Sequence, residues 1–293
     1  MKVTDEVNSE KNVTPVKEPD SGHLIVVIGL GYDEQHITAE AISELSRAEV
    51  VMGHESLISS FSQYLSEDAV HVSDESIRKK TNDIELLKIY RTKEAIKYAL
   101  KGKKVIYLCP GDPGIYSYAQ PILELSAGEV QVKVIPGMTS ALVAAAKLGA
   151  PLWDGFALIG LYVDFVDPNV IQKKVEAAIA SDFVIIFYLP KHEALLYPQF
   201  YPEKKYPELY PLEVKCVERL ENALSNLLKE RSPETPLGIA CLKEENEIIS
   251  TTLGNYKNVF ADILPYSTVI VGNSMSKFAG EYFVTSAWKD LPE

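Results

Sequence analysis

Residues 105–116 read VIYLCPGDPGIY. Val105–Cys109 is an uninterrupted apolar run of strand length, the mark of a strand buried on both faces of a parallel sheet. Two prolines and two glycines then fall within five residues, Pro110-Gly111-Asp112-Pro113-Gly114. Each proline fixes its own φ and pushes its predecessor away from helix. Each glycine lets the backbone bend tightly or approach a ligand. The spacing therefore predicts a stiff, irregular loop over Pro110–Ile115 and a helix over Tyr116–Ser126. In open α/β sheets that position, beyond the carboxyl end of a strand, is where ligands bind. A tight turn with no ligand is the competing reading.

The same grammar recurs on either side. Leu24–Ile28 (LIVVI) is apolar and β-branched, and Gly29-Leu30-Gly31 closes it. A dinucleotide fingerprint would want glycine at 34, where Glu34 stands, so the usual nicotinamide mode is disfavoured. Downstream, strand Gln131–Ile135 runs into Pro136-Gly137 and a helix over Met138–Leu148. Thr139 and Ser140 fall in its first turn, where hydroxyls and free N–H groups can meet a ligand or simply cap the helix. Between these strands, Thr38 opens a short helix, Val50–Met52 and Val70–Val72 read as strands, a helix covers about 56–65 and a long amphipathic helix covers 82–101. Strands alternating with helices imply an α/β layer structure with right-handed crossovers. Ala150-Pro151-Leu152 looks like the exit from this first domain.

The second half is patterned differently. Strand Phe156–Leu161, helix Asn169–Ala180 and strand Phe183–Leu189 come first, and a helix covers about 212–230. Segments Leu237–Leu242, Glu247–Thr252, Thr268–Val271 and Tyr282–Thr285 read as strands, the first two as a hairpin across 243–246. The expected fold class is α/β in two domains, 23–150 with a mostly parallel sheet and 151–293 with a mixed sheet. Residues 1–22, predominantly polar, read as a disordered tail. Four Tyr-Pro pairs between 197 and 211 predict an extended strap.

Composition narrows the function. Lys plus Arg number 29 against 41 Asp plus Glu, a net charge of -12, which disfavours nucleic acid as a partner. Cys109, Cys216 and Cys241 are far apart, and His23, His36, His54, His71 and His192 are scattered. No metal centre or disulfide framework is expected, nor any membrane span. With no apolar signal core at the N-terminus, the expected compartment is the cytoplasm. No P-loop, nucleophile elbow or paired-carboxylate motif is present, so no catalytic side chain is named.

The order GLG (29–31), PGDPGIYS (110–117), VIPGMTSA (134–141), KLGAPL (147–152), FYLP (187–190) and STVIVGNS (267–274) resembles the tetrapyrrole (corrin/porphyrin) methylases. The resemblance extends over residues 23–286. Within that family, TTL (251–253) and FVTS (283–286) resemble the C17-methyltransferases acting on precorrin-3B or cobalt-factor III in cobalamin synthesis. It implies two α/β domains with S-adenosylmethionine in the cleft between them, a homodimer, and C-methylation of a tetrapyrrole with ring contraction. It further implies that Pro110, Gly111, Asp112, Ile115, Thr139, Ser140 and Leu189 contact the cofactor. The family's first loop is usually G-x-G-P-G; here Tyr32 and Asp33 replace Pro and Gly on the expected tetrapyrrole side. Tyr188, Lys191 and His192 stand where the subgroup carries a more basic stretch. Tyr188, His192 and Asp33 are positional candidates for proton transfer. Lys191, Lys204, Lys205 and Arg78-Lys79-Lys80 are candidate partners for substrate carboxylates. A methylase of this fold working at another ring carbon, and a non-catalytic binding protein, are the alternative readings.

Overall fold

A computed structural model describes residues 23–73, 77, 84–161, 166–188, 209–242, 247–264 and 267–287. Its first sheet holds β1 (Leu24–Gly29), β2 (Val50–Gly53), β3 (Val70–Ser73), β4 (Val105–Cys109) and β5 (Gln131–Ile135) in the order β3-β2-β4-β1-β5. Every pairing in it is parallel. The unbroken apolar runs follow from burial on both faces. Ile25, Val27, Val105 and Tyr107 face Ala95, Ile96 and Ala99 of helix α3 (Ile84–Leu100) and Ile122 of α4 (Ala119–Ser126). The alternate residues Val26, Ile28, Ile106 and Leu108 face Ala41 and Leu45 of α1 (Ala39–Leu45) and Ile58 of α2 (Glu55–Ser60). Thr38 caps α1, its Oγ1 accepting from Ala41 N–H at 3.1 Å, as its residue type leads one to expect.

The second sheet is mixed, in the order β10-β9-β11-β8-β7. Its strands are β7 (Phe156–Gly160), β8 (Val184–Tyr188), β9 (Pro236–Cys241), β10 (Glu247–Thr252) and β11 (Ser267–Val271). Only β7 and β8 run parallel. One face packs under α6 (Pro168–Ala180) and α7 (Leu209–Glu230) through Ile171, Val175, Leu220, Leu224 and Leu227. The other face receives α5 (Ser140–Leu148), whose Ala141, Val143, Ala144 and Leu148 pack on Val184, Ile186, Ala240 and Ile270. So the helix that follows the first sheet's β5 buries its apolar face on the second sheet. It physically joins the two.

Several boundaries move for identifiable reasons. The helix expected from Tyr116 begins at Ala119, because Tyr116 takes a φ of 52° that no helix accommodates. The one expected from Met138 begins at Ser140, with Thr139 as its extended N-cap. The expected helix over 56–65 splits into α2 and a 3-10 turn, Ser62–Tyr64. The strand expected at Tyr282–Thr285 forms as β13, but in a third sheet with β6 (Gly149–Ala150) and β12 (Ser276–Ala279), ordered β12-β13-β6, which the sequence did not reveal. Residues 1–22, Arg78-Lys79-Lys80, Leu189, Lys191, His192, Lys204 and Lys205 lie outside the described residues. So does the Tyr-Pro strap, except for residues 209–211, which are the first turn of α7.

Candidate functional site

The loops after β1, β4 and β5 meet at four glycines, Gly29, Gly31, Gly111 and Gly137. Gly31 and Gly111 form an antiparallel bridge, Gly111 N–H donating to the Gly31 carbonyl at 2.9 Å and Gly31 N–H returning at 3.3 Å. Both have positive φ, 70° and 62°. A Cβ on Gly29 would sit 2.5 Å from Gly137 N and 2.6 Å from Gly111 O. One on Gly137 would fall on that same carbonyl oxygen. Backbone here lies on backbone, which is the close approach that only glycine permits.

Asp112 fastens this junction. Its Oδ1 accepts from Gly114 N–H at 2.8 Å, closing the turn, and its Oδ2 accepts from Gly137 N–H at 3.1 Å. The carboxylate therefore ties the second loop to the third. Cys109, just before it, is wholly buried, and burial pushes its thiol up to about 11 against an opposing hydrogen bond with Ser117. A thiol so placed stays neutral at physiological pH and is no nucleophile.

Beside the junction is a cavity of about 460 Å³, within the range of small-molecule sites. Gly114, Ile115 and Tyr116 form its wall on the β4 side, and Thr139, Ala141 and Leu142 come from the start of α5. Phe156 and Leu158 of β7 close it from the second sheet. The lining is almost wholly apolar. Two lining side chains carry a hydroxyl, Tyr116 and Thr139; Thr139 is 5% exposed, and its Oγ1 has no hydrogen-bond partner among the described residues. It makes no side-chain cap to its own helix either. Buried hydroxyls are nearly always paired, so an orphan in a cavity wall fits a site that a ligand completes.

Of the residues singled out from sequence, Ile115 and Thr139 line the cavity. Gly111 and Asp112 form the scaffold beside it. Pro110 is exposed, and Ser140 is the first residue of α5; neither is in the lining. Tyr188 ends β8, and its hydroxyl approaches Gly111: a Cβ built there would lie 3.8 Å from it. Tyr32 packs on the apolar cluster of the second sheet. Asp33 Oδ1 pairs with His36 Nδ1 at 2.5 Å and accepts from Gln35 N–H at 2.9 Å. The sequence reading missed Tyr116, Leu142, Phe156 and Leu158. Tyr116 had a signal, standing at the end of the Gly-Pro loop. The two β7 residues had only their alternation, which says which face they share and not what that face meets.

The VGNS segment proves to be a structural knot. Asn273, 2% exposed, accepts at Oδ1 from Met275 N–H and the Ser276 hydroxyl, and donates from Nδ2 to Asp154 at 3.3 Å. Ser276 meets Thr285, which donates to the Pro151 carbonyl. Because β11 is antiparallel to β8, this knot lies at the opposite end of the sheet from Tyr188.

Comparison with known proteins bears on these features. Residues 24–255 match the model of the Tetrapyrrole (Corrin/Porphyrin) Methylases. A Salmonella typhimurium protein named a probable cobalt-factor III C(17)-methyltransferase is 33% identical over 263 residues, covering 85% of this chain and 92% of its own. A Priestia megaterium cobalt-factor III methyltransferase is 27% identical over 271 residues, covering 89% of this chain; the chain spans 44% of that relative's length. The crystal structure of the methyltransferase CobJ superposes with a TM-score of 0.72 at 22% identity, over 90% of this chain and 99% of that one, a likeness of fold.

Proposed function

The chain belongs to the tetrapyrrole (corrin/porphyrin) methylases, and from that premise we propose that it transfers the methyl group of S-adenosylmethionine to C17 of cobalt-factor III, or of precorrin-3B, in cobalamin biosynthesis. Ring contraction accompanies the transfer. The observation that carries the donor half is the apolar cavity with a buried hydroxyl, Thr139 Oγ1, that has no partner among the described residues. The acceptor half is supported by the name of the Salmonella relative, with which this chain shares nearly its whole length.

S-adenosylmethionine supplies a methyl group on a sulfonium, whose charge vanishes as the methyl leaves. Such a displacement needs alignment and exclusion of water more than a reactive side chain, and positioning alone can contribute about 7–11 kcal/mol. The residues fit that demand. Ile115, Ala141, Leu142, Phe156 and Leu158 give the site an apolar lining. Thr139 supplies a hydroxyl to the donor; Ser140 and Pro110, outside the lining, are assigned to the donor by the family resemblance alone. Gly111 and Asp112 hold the loops in register through backbone contacts. The family resemblance assigns Tyr188 and Leu189 to this site, and Lys191, His192, Tyr32 and Asp33 to the tetrapyrrole. Two α/β units, 23–150 and 151–293, complete the proposal, with α5 reaching from the first onto the second sheet, and so does a homodimer working in the cytoplasm.

The test is turnover. Protein incubated with ¹³C-methyl S-adenosylmethionine and cobalt-factor III, with precorrin-3B in a parallel arm, is expected to yield a product heavier by one labelled methyl, with the visible spectrum of a less conjugated ring. No label in either tetrapyrrole contradicts the proposal.

A further inference from the structure

Tyr116 ends the Gly-Pro loop in a conformation unfavourable to any residue with a Cβ, φ 52°. The loop itself does not require its side chain. The turn is closed by Asp112 on Gly114 N–H, by Ile115 N–H on the Asp112 carbonyl at 3.2 Å, and by Ala119 N–H on the Pro113 carbonyl at 3.0 Å. What Tyr116 reaches is the other sheet. Its hydroxyl accepts from Gly160 N–H at 2.9 Å and lies 3.4 Å from the Leu158 carbonyl, to which it donates. Its ring lies nearly parallel to that of Tyr188, centroids 5.9 Å apart and planes at 26°. Yet the residue is 45% exposed and forms part of the cavity wall. A side chain from the first sheet's loop is thus moored on two adjacent strands of the second, across the space it lines, at the cost of a strained backbone.

We propose that Tyr116 is a positioning residue: its hydroxyl, moored on β7, fixes the separation between the Ile115 wall and the Phe156–Leu158 wall, and so the fit of the nucleoside part of the methyl donor. Loss of the hydroxyl leaves ring and stack in place and lets the two walls drift. The inference rests on reading the cavity as the S-adenosylmethionine site, and the experiment separates the two.

Wild type and Tyr116→Phe are titrated with S-adenosylhomocysteine by calorimetry, melted by circular dichroism, and assayed with S-adenosylmethionine and cobalt-factor III. The expected result is an unchanged fold, a Kd weaker by about tenfold or more, a parallel rise in KM for the donor, and kcat at saturation within about twofold. Equal Kd values in the two proteins overturn the inference alone. So does a fall in kcat with Kd unchanged, which would place Tyr116 in the chemistry. Failure of the wild type to bind overturns the cofactor reading and the inference with it. Should the Phe variant not fold, Tyr116→Gly, which the backbone angle favours, is judged by the same Kd criterion.

Discussion

Thr139 and Asp112 show how little a residue's type says about its task. Both sit in loops that the sequence marks for a ligand, yet Asp112 spends its two oxygens on Gly114 and Gly137 N–H groups, and Thr139 keeps its hydroxyl unbonded among the described residues. Asp112→Asn puts a donor where one backbone N–H donates. It is expected to cost about 1–3 kcal/mol of stability, read by denaturant unfolding, whether or not a ligand is present. Thr139→Val is nearly isosteric and removes a buried, unpaired hydroxyl. The expected outcome is a melting temperature equal to or above wild type, with about tenfold weaker S-adenosylhomocysteine binding by calorimetry, one lost hydrogen bond. A drop in stability with unchanged binding would make Thr139 a structural residue. The glycine junction gives a third contrast. Gly137→Ala drives a Cβ into the Gly111 carbonyl and is expected to destabilise by about 3 kcal/mol. Gly111→Ala meets nothing closer than 3.7 Å and costs only the strain of a left-handed φ, about 1–2 kcal/mol. Urea midpoints distinguish the two.

Among the elements, α1 is held to the edge of the first sheet by charge as well as by packing. Glu44 pairs with Lys104 at 2.5 Å and Lys133 at 3.0 Å, and Glu40 joins Lys133 at 2.8 Å. Burial alone would raise the Glu44 carboxyl, but hydrogen bonds from Lys104 and Lys133 outweigh it and hold the group below its ordinary value of 4.5. A folded value below the unfolded one means stability that is fully present above that ordinary value and is lost as pH falls through the folded one. Wild type is therefore expected to lose stability below about pH 4.5 more steeply than Glu44→Gln, in thermal melts taken between pH 3 and 7. The central strands and the helices between them were legible because each carries its own period: LIVVI and VIYLC are apolar throughout, and TAEAISEL turns one face inward. β6 and β12 were not, since two and four residues carry no period. They are strands only by pairing with β13, which lies more than a hundred residues from β6.

At the scale of the whole molecule, the site is assembled from places far apart in the chain. The loops after β1, β4 and β5 were visible as glycine and proline clusters following buried strands, since such density after an apolar run has few other uses. The partner wall, Phe156 and Leu158, was not, because sequence does not say which face of the second sheet turns toward the first. The structure supplies the link through α5, which leaves β5 and packs on Val184, Ile186 and Ile270. Tyr116 spans the same gap at the level of one side chain. The first loop stands apart: the Asp33–His36 pair and the Tyr32 ring occupy it in place of the family's Pro-Gly, and its face lies beside the glycine junction rather than in the cavity lining.

The central claim is that the cavity between the Gly114–Tyr116 loop, the start of α5 and strand β7 receives the methyl donor. A crystal of the protein grown with S-adenosylhomocysteine tests it directly. The expected density lies between Ile115, Thr139 and Leu158, with a ligand atom within hydrogen-bond distance of Thr139 Oγ1. Density lodged elsewhere, with that cavity empty, would contradict it.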